Sequence, residues 1–163
     1  MKLNASHMTV SGEYSFRNNY GNPANQTIFF PLIATGELKI DTFSVFDEAE
    51  QSYFRNVRKL RSGLFFQLTL QGHEQKKIRI FYVTDHDGIN VKYLAKTHAG
   101  YWNQPLLQAI YTLQIDDPSI IIDSTSYKPN EVISKETKIT YFWRKTNFLP
   151  DKELEIWFHK LTK

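Results

Sequence analysis

Apolar residues recur at every second position through most of this chain. Leu64, Phe66, Leu68 and Leu70 alternate with Phe65, Gln67, Thr69 and Gln71, and Ile78, Ile80 and Tyr82 alternate with Lys77, Arg79 and Phe81. A spacing of two marks a strand with one buried face, because successive side chains leave a pleated backbone on opposite sides. Gly72-His73-Glu74-Gln75 between the two runs is a short glycine-containing loop, so the pair predicts a β-hairpin. The longest alternation, Leu107, Ala109, Tyr111, Leu113 and Ile115, predicts a strand with those residues facing inward. Leu106, Leu107, Ile110 and Leu113 also fit a helix over Pro105–Leu113, but unbroken alternation in β-rich surroundings favours strand. Near the C-terminus, Ile139, Tyr141 and Trp143 form one face and Leu154, Ile156 and Phe158 another. Joined by Thr146–Lys152, they predict a closing hairpin over Thr137–Phe158.

Turn chemistry separates the runs. Asn18–Asn25 is dense in Asn, Gly and Pro, residues that accept left-handed backbone or fix φ. Asp85-His86-Asp87-Gly88 and Asp116-Asp117-Pro118 end further strands. Asp47–Arg55 is the least strand-like segment and reads as loop. No βαβ alternation, repeat or low-complexity tract is present. The expected fold is all-β, an antiparallel β-sandwich of about nine or ten strands with little or no helix. Met1–Met8 has the look of a cloning-derived tag remnant, which leaves residues 9–163 as a single sandwich domain.

Composition narrows the classes. Aromatics make up 15 % of the 163 residues, a load suited to pleated, half-buried surfaces. A net charge of +3 leaves no electrostatic footprint for nucleic acid, and the cationic run Arg55–Arg61 reads as a solvated edge. With no cysteine, a disulfide framework, a thiolate nucleophile and Cys-containing metal sites are excluded. No apolar run approaches the ~18 residues of a membrane-spanning helix.

Three places together follow a known order. Tyr14-Ser15-Phe16-Arg17-Asn18, Ile28-Phe29-Phe30-Pro31-Leu32 and Ile40-Asp41-Thr42-Phe43-Ser44-Val45 resemble the opening of VIT-like domains, the vault/inter-α-trypsin type of β-sandwich. Lys92–Ile115, with Trp102 and Pro105-Leu106 ahead of a long strand, is similar to a later part of related bacterial extracytoplasmic domains. Tyr141-Phe142-Trp143 and Asn147–Leu154 are similar to their closing segment. The resemblance implies a sandwich outside the cytoplasm, in the periplasm or at the cell surface, as part of or anchored to a membrane or surface protein. It supplies no catalytic residues.

The polar clusters are read against plainer alternatives. Asp85, Asp87 and Asn90 could offer oxygen ligands to Ca²⁺, but Asp-x-Asp-Gly between strands is more economically a turn. His86 beside Asp85 and Asp87 could form an acid–base pair, yet no serine in a nucleophile-elbow context accompanies it. His73, His86, His98 and His159 lack zinc-ligand spacing. Glu153 and Glu155 read as a solvated strand face, and no cofactor or catalytic residue is expected. Tyr101 and Trp102 beside Asn103 suit stacking on a sugar or a partner. Phe65, Phe81 and Trp157 fall opposite the inward register and could form an exposed patch. The expected function is a non-catalytic protein-interaction or surface-assembly domain, with a protein partner or self-association. Carbohydrate binding through Tyr101 and Trp102, or a barrel holding a small apolar ligand, are the alternatives.

Overall fold

The computed structural model describes residues 1–32, 40–60, 63–86, 88–96 and 105–161, with backbone alone at 40 and 41. Among them lie fourteen strands and no helix. In chain order these are β1 (Lys2–Leu3), β2 (His7–Arg17), β3 (Ala24–Pro31), β4 (Ile40–Asp47), β5 (Ser52–Tyr53), β6 (Arg58–Leu60), β7 (Gly63–Leu70), β8 (Gln75–Asp85), β9 (Asn90–Tyr93), β10 (Leu106–Ile115), β11 (Ile120–Thr125), β12 (Glu131–Lys135), β13 (Lys138–Phe148) and β14 (Leu154–Lys160). All-β character is as the alternation predicts. The strands form three open sheets, and they outnumber the nine or ten expected of the sandwich. They divide into two compact units, Val10–Val83 and Met1–Thr9 with Thr84–Lys163, so the boundaries fall inside β2 and β8. No helix among the described residues is long and apolar enough to cross a membrane.

In the unit Val10–Val83, β7 lies between β3 and β6, and β3 pairs with it from Ala24↔Leu70 to Pro31↔Gly63. Leu64, Phe66, Leu68 and Leu70 are buried, as are Ile78, Ile80 and Tyr82 of β8. The predicted hairpin of these two runs does not form, because β7 and β8 belong to different sheets. Side by side in one ladder, both apolar faces would still need a cover; in separate layers each can be covered by the other sheet. The layers meet on aromatic rings, Phe30 of β3 lying 5.2 Å from Tyr14 of β2 and 6.3 Å from Tyr82 of β8. Within the cationic run, Arg58–Leu60 is an exposed edge strand, in keeping with the solvated-edge reading, and Arg61 lies outside the described residues.

Two buried polar residues tie the loops of this unit. Asn18 donates from Nδ2 to the carbonyls of Asn22 (2.8 Å) and Gln71 (3.0 Å), and its Oδ1 accepts from Tyr20 N. Asp47 ends β4 by accepting from the backbone of Ala49 and Glu50, which closes the turn before β5. Its other oxygen meets Lys76 Nζ at 3.3 Å, with Glu50 and Glu74 also within ion-pair reach. Burial opposes the charge on Lys76, but the bond to Asp47 and the three carboxylates outweigh it and raise its pKa.

In the other unit, β10 and β13 pair from Leu106↔Phe148 to Ile115↔Ile139, with β12 on the far side of β13. A second sheet has β14 between β11 and β9. The predicted closing hairpin is therefore also absent, since β13 and β14 lie in different sheets. The same reason applies: Trp143 on one strand and Leu154, Ile156 and Phe158 on the other are all buried. The rings of Tyr93 and Tyr111 bridge the two sheets at 5.6 Å.

Residues 1–8, set apart in the sequence reading, belong to this unit. Lys2 and Leu3 run parallel to Gln114 and Ile115 of β10 and antiparallel to Thr9 and Met8 of β2. Leu3 and Met8 are buried. The β1–β10 pair also departs from the expected wholly antiparallel arrangement.

Candidate binding surface

The three aromatics predicted as a patch lie in three different sheets. Phe65 is on β7, Phe81 on β8 and Trp157 on β14, and each is half-buried. Phe65 packs on Phe29, its cross-strand partner, with ring centroids 4.6 Å apart. Trp157 stands between Asn90 of β9 and Ser124 of β11. No single sheet face carries all three. Tyr101, Trp102 and Asp87 lie outside the described residues.

His86 has a structural position. Its Nδ1 accepts from Gly88 N at 3.1 Å, and Nε2 lies 2.9 Å from the carbonyl of Asn4, so the bonds fit an imidazole protonated at Nε2. The ring also stands edge-on to Phe158 at 5.0 Å. Both nitrogens are thereby committed to holding the turn after β8 against the Asn4–His7 turn. Asp85 is exposed and Asn90 is the first residue of β9. Among the described residues no group of three His, Cys, Asp or Glu side chains is placed to hold a metal. Glu155 pairs with Lys92 across the ladder at 2.7 Å and Glu153 accepts from Lys96 N, so both carboxylates have structural partners.

Among the described residues the most exposed large apolar side chain, Leu107, lies at the start of β10. Leu107 is 85 % exposed and Ile110, on the opposite face, 58 % exposed. The alternation assigned Leu107 to the core, and Ala109, Leu113 and Ile115 do face inward. Leu107 does not, because register places it at the end of the ladder, where Asn147 adopts φ +47° and β13 stops at Phe148. Leu149, half-exposed, lies at the same end of the pair. An intermittent apolar run cannot reveal where its cover ends, so the sequence carried no signal for this surface.

Beside it, Tyr127 anchors the β13–β14 connection. Its hydroxyl donates to Asp151 Oδ1 (2.8 Å), its ring meets Phe148 edge-on at 5.5 Å, and Lys152 Nζ lies 5.1 Å from the ring centre. Burial raises the Tyr127 pKa, while the bond it donates lowers that of Asp151. The connection is thus sheet-linking structure.

A cleft of about 310 Å³ adjoins β1, lined by Lys2, Leu3, Asn4, Thr9, Asp116 and Asp117. Asp117 Oδ1 accepts from Ser119 Oγ (2.7 Å) and Ser119 N (2.9 Å). The hydroxyl bond first, then the backbone bond, holds its carboxyl below the ordinary 3.8. A depressed carboxylate pKa contributes stability above the unfolded value and loses it as pH falls through the folded one. Asp117→Asn should therefore lower the urea midpoint at neutral pH, with a deficit that shrinks below pH 3.8. A deficit independent of pH would reject the assignment.

No family model matches this sequence, and no curated protein matches it at a significant level. Among solved structures, the chain is similar in fold to a Legionella pneumophila protein described as a "putative nutrient binding protein", with a TM-score of 0.70 at 14 % identity. The match covers 94 % of this chain and 60 % of that one, so the chain spans less than two thirds of the length of that protein.

Proposed function

We propose that this protein is a non-catalytic binding module that makes a protein–protein contact through the start of β10. The observation that carries the reading is the exposure of Leu107 and Ile110 on opposite faces of one strand end. A partner that closes over both faces would remove two aliphatic side chains from water. The VIT-like resemblance supports a place outside the cytoplasm, as part of or anchored to a membrane or surface protein. It also supports a sandwich-type arrangement of the sheets.

A second copy of the chain is the partner to test first. Sedimentation velocity should show association that rises with concentration, and the Leu107→Asp/Ile110→Asp double variant should stay monomeric. Surface changes of this kind should shift stability by only about 0.5 kcal/mol. Association unaffected by both substitutions, or a wild-type chain that is monomeric throughout, would remove the self-association reading.

The fold likeness to a protein described as nutrient binding favours a second reading, a small-molecule ligand. The cleft beside β1 is at the small end of the usual range for such ligands. Thermal shift across sugars, amino acids and divalent cations separates the readings. A saturable rise in Tm supports the ligand, and a flat panel counts against both it and the carbohydrate alternative at Tyr101 and Trp102.

A further inference from the structure

We propose that β12 is an edge that pairs with the same strand of a second copy, about a two-fold axis through Ile133. β12 ends its sheet, and among the described residues β13 is its only neighbour. Their register runs from Glu131↔Phe142 to Lys135↔Lys138 and is closed by the turn at Glu136 and Thr137. The closing pair of a two-residue hairpin is hydrogen-bonded and the pairs alternate from there, so Glu131, Ile133 and Lys135 turn their N–H and C=O groups toward β13. Those of Val132 and Ser134 point outward. An extended strand can take them up without any element of the fold leaving its place.

The occupant follows from the charges. Among the described residues the Lys135 ammonium has no partner, and Glu131 meets Arg144 through Oε2 alone, at 3.0 Å. With the axis at Ile133, Val132 faces Ser134 of the second copy and Ser134 faces Val132, and these pairs exchange the outward backbone bonds. Each Glu131 then stands opposite a Lys135, in non-hydrogen-bonded pairs where side chains lie closest. An axis at Val132 would set Glu131 opposite the aliphatic Ile133, and an axis at Ser134 would do the same to Lys135. Edge lysines ordinarily repel a second edge, but this register gives each of them a carboxylate. The contact is small, so the pairing is weak and transient, suited to chains held side by side and not to dilute solution. It is separate from the surface at Leu107, and the Leu107→Asp/Ile110→Asp variant still sediments as a monomer.

Because the chain has no cysteine, a single introduced thiol reports the register. In the Leu107→Asp/Ile110→Asp background, which removes the other surface, Ile133→Cys sets two thiols opposite each other at a Cα separation of about 4.5 Å, within disulfide reach. Val132→Cys and Ser134→Cys set theirs on a diagonal, beyond the limit of roughly 7 Å. Under mild oxidation the disulfide dimer of Ile133→Cys should form at least about tenfold faster than the other two, although Val132 is 51 % exposed and Ile133 half-buried. Adding Lys135→Glu, which leaves Arg144 paired, should slow that reaction, and adding Glu131→Lys as well should restore it. Circular dichroism checks that each variant is folded. Equal rates, or rates that follow exposure with Val132→Cys or Ser134→Cys ahead, overturn the proposal. So does an Ile133→Cys rate that Lys135→Glu leaves unmoved or that the double reversal fails to restore.

Discussion

Trp143→Ala should lower the free energy of unfolding by about 3–5 kcal/mol, the usual cost of deleting a large aromatic from a closed core. Trp143 is 1 % exposed and faces Tyr111 across the β10–β13 ladder, with Tyr141 stacked along the strand at 6.3 Å. Its indole Nε1–H also donates to the Tyr127 carbonyl at 2.7 Å, joining the sheet to the segment that carries the Tyr127 clamp. Alanine removes the ring and that donor together. Trp143→Phe keeps most of the apolar contact and leaves the Tyr127 carbonyl with the Thr125 hydroxyl, 2.8 Å away, as its donor, so it should cost only about 1–2 kcal/mol. Urea unfolding followed by far-UV circular dichroism checks both, and an alanine variant within about 1 kcal/mol of wild type would show that Trp143 does not organise this unit.

Gly72→Ala should cost about 3 kcal/mol, equivalent to a fall in Tm of about 6–12 °C for a chain of this size. A Cβ at Gly72 would stand 2.0 Å from the Gly21 carbonyl oxygen and 2.6 Å from its carbon. The obstacle is backbone, so no rotamer change can relieve it. The loop is held there by Asn18 N to Glu74 O at 2.9 Å and His73 N to Tyr20 O at 3.0 Å, besides the Asn18 side chain. Relief would require these bonds to break. Gly21→Ala is the control: its Cβ would meet nothing nearer than His73 Nε2 at 3.6 Å, ordinary contact distance. The control should therefore stay within about 1 kcal/mol of wild type. Equal effects for the two glycines would show that the close approach does not set the loop.

The alternation of apolar residues was sufficient to locate strands. Leu64, Phe66, Leu68 and Leu70, then Ala109, Leu113 and Ile115, and then Leu154, Ile156 and Phe158 lie in strands and are buried, because the side-chain period of a pleated backbone is a local property. The turn chemistry was legible for the same reason: Asn18, Asp47 and Asp117 bond to backbone groups within four residues of themselves. The total lack of cysteine likewise excluded whole classes of site without any structure.

Pairing was not legible. Gly72–Gln75 and Thr146–Lys152 have the composition of hairpin loops, yet the chain passes there from one sheet to another. A short loop specifies a change of direction, while the need to cover two apolar faces decides which strand becomes the neighbour. The parallel place of Leu3 beside Ile115 depends on residues more than a hundred positions apart, and no local pattern encodes it. The candidate surfaces share this limit. Leu107 has the same apolar character and parity as Ala109 and Leu113, and only the end of the ladder at Asn147 and Phe148 leaves it in water. What the sequence determined by itself was the longer alternating strands, the turns between them and the inward face of most of those strands, all set within a few residues. Tertiary structure alone decided which strands meet, where the cover ends and which apolar side chains stay in water, because those are properties of distant segments brought together.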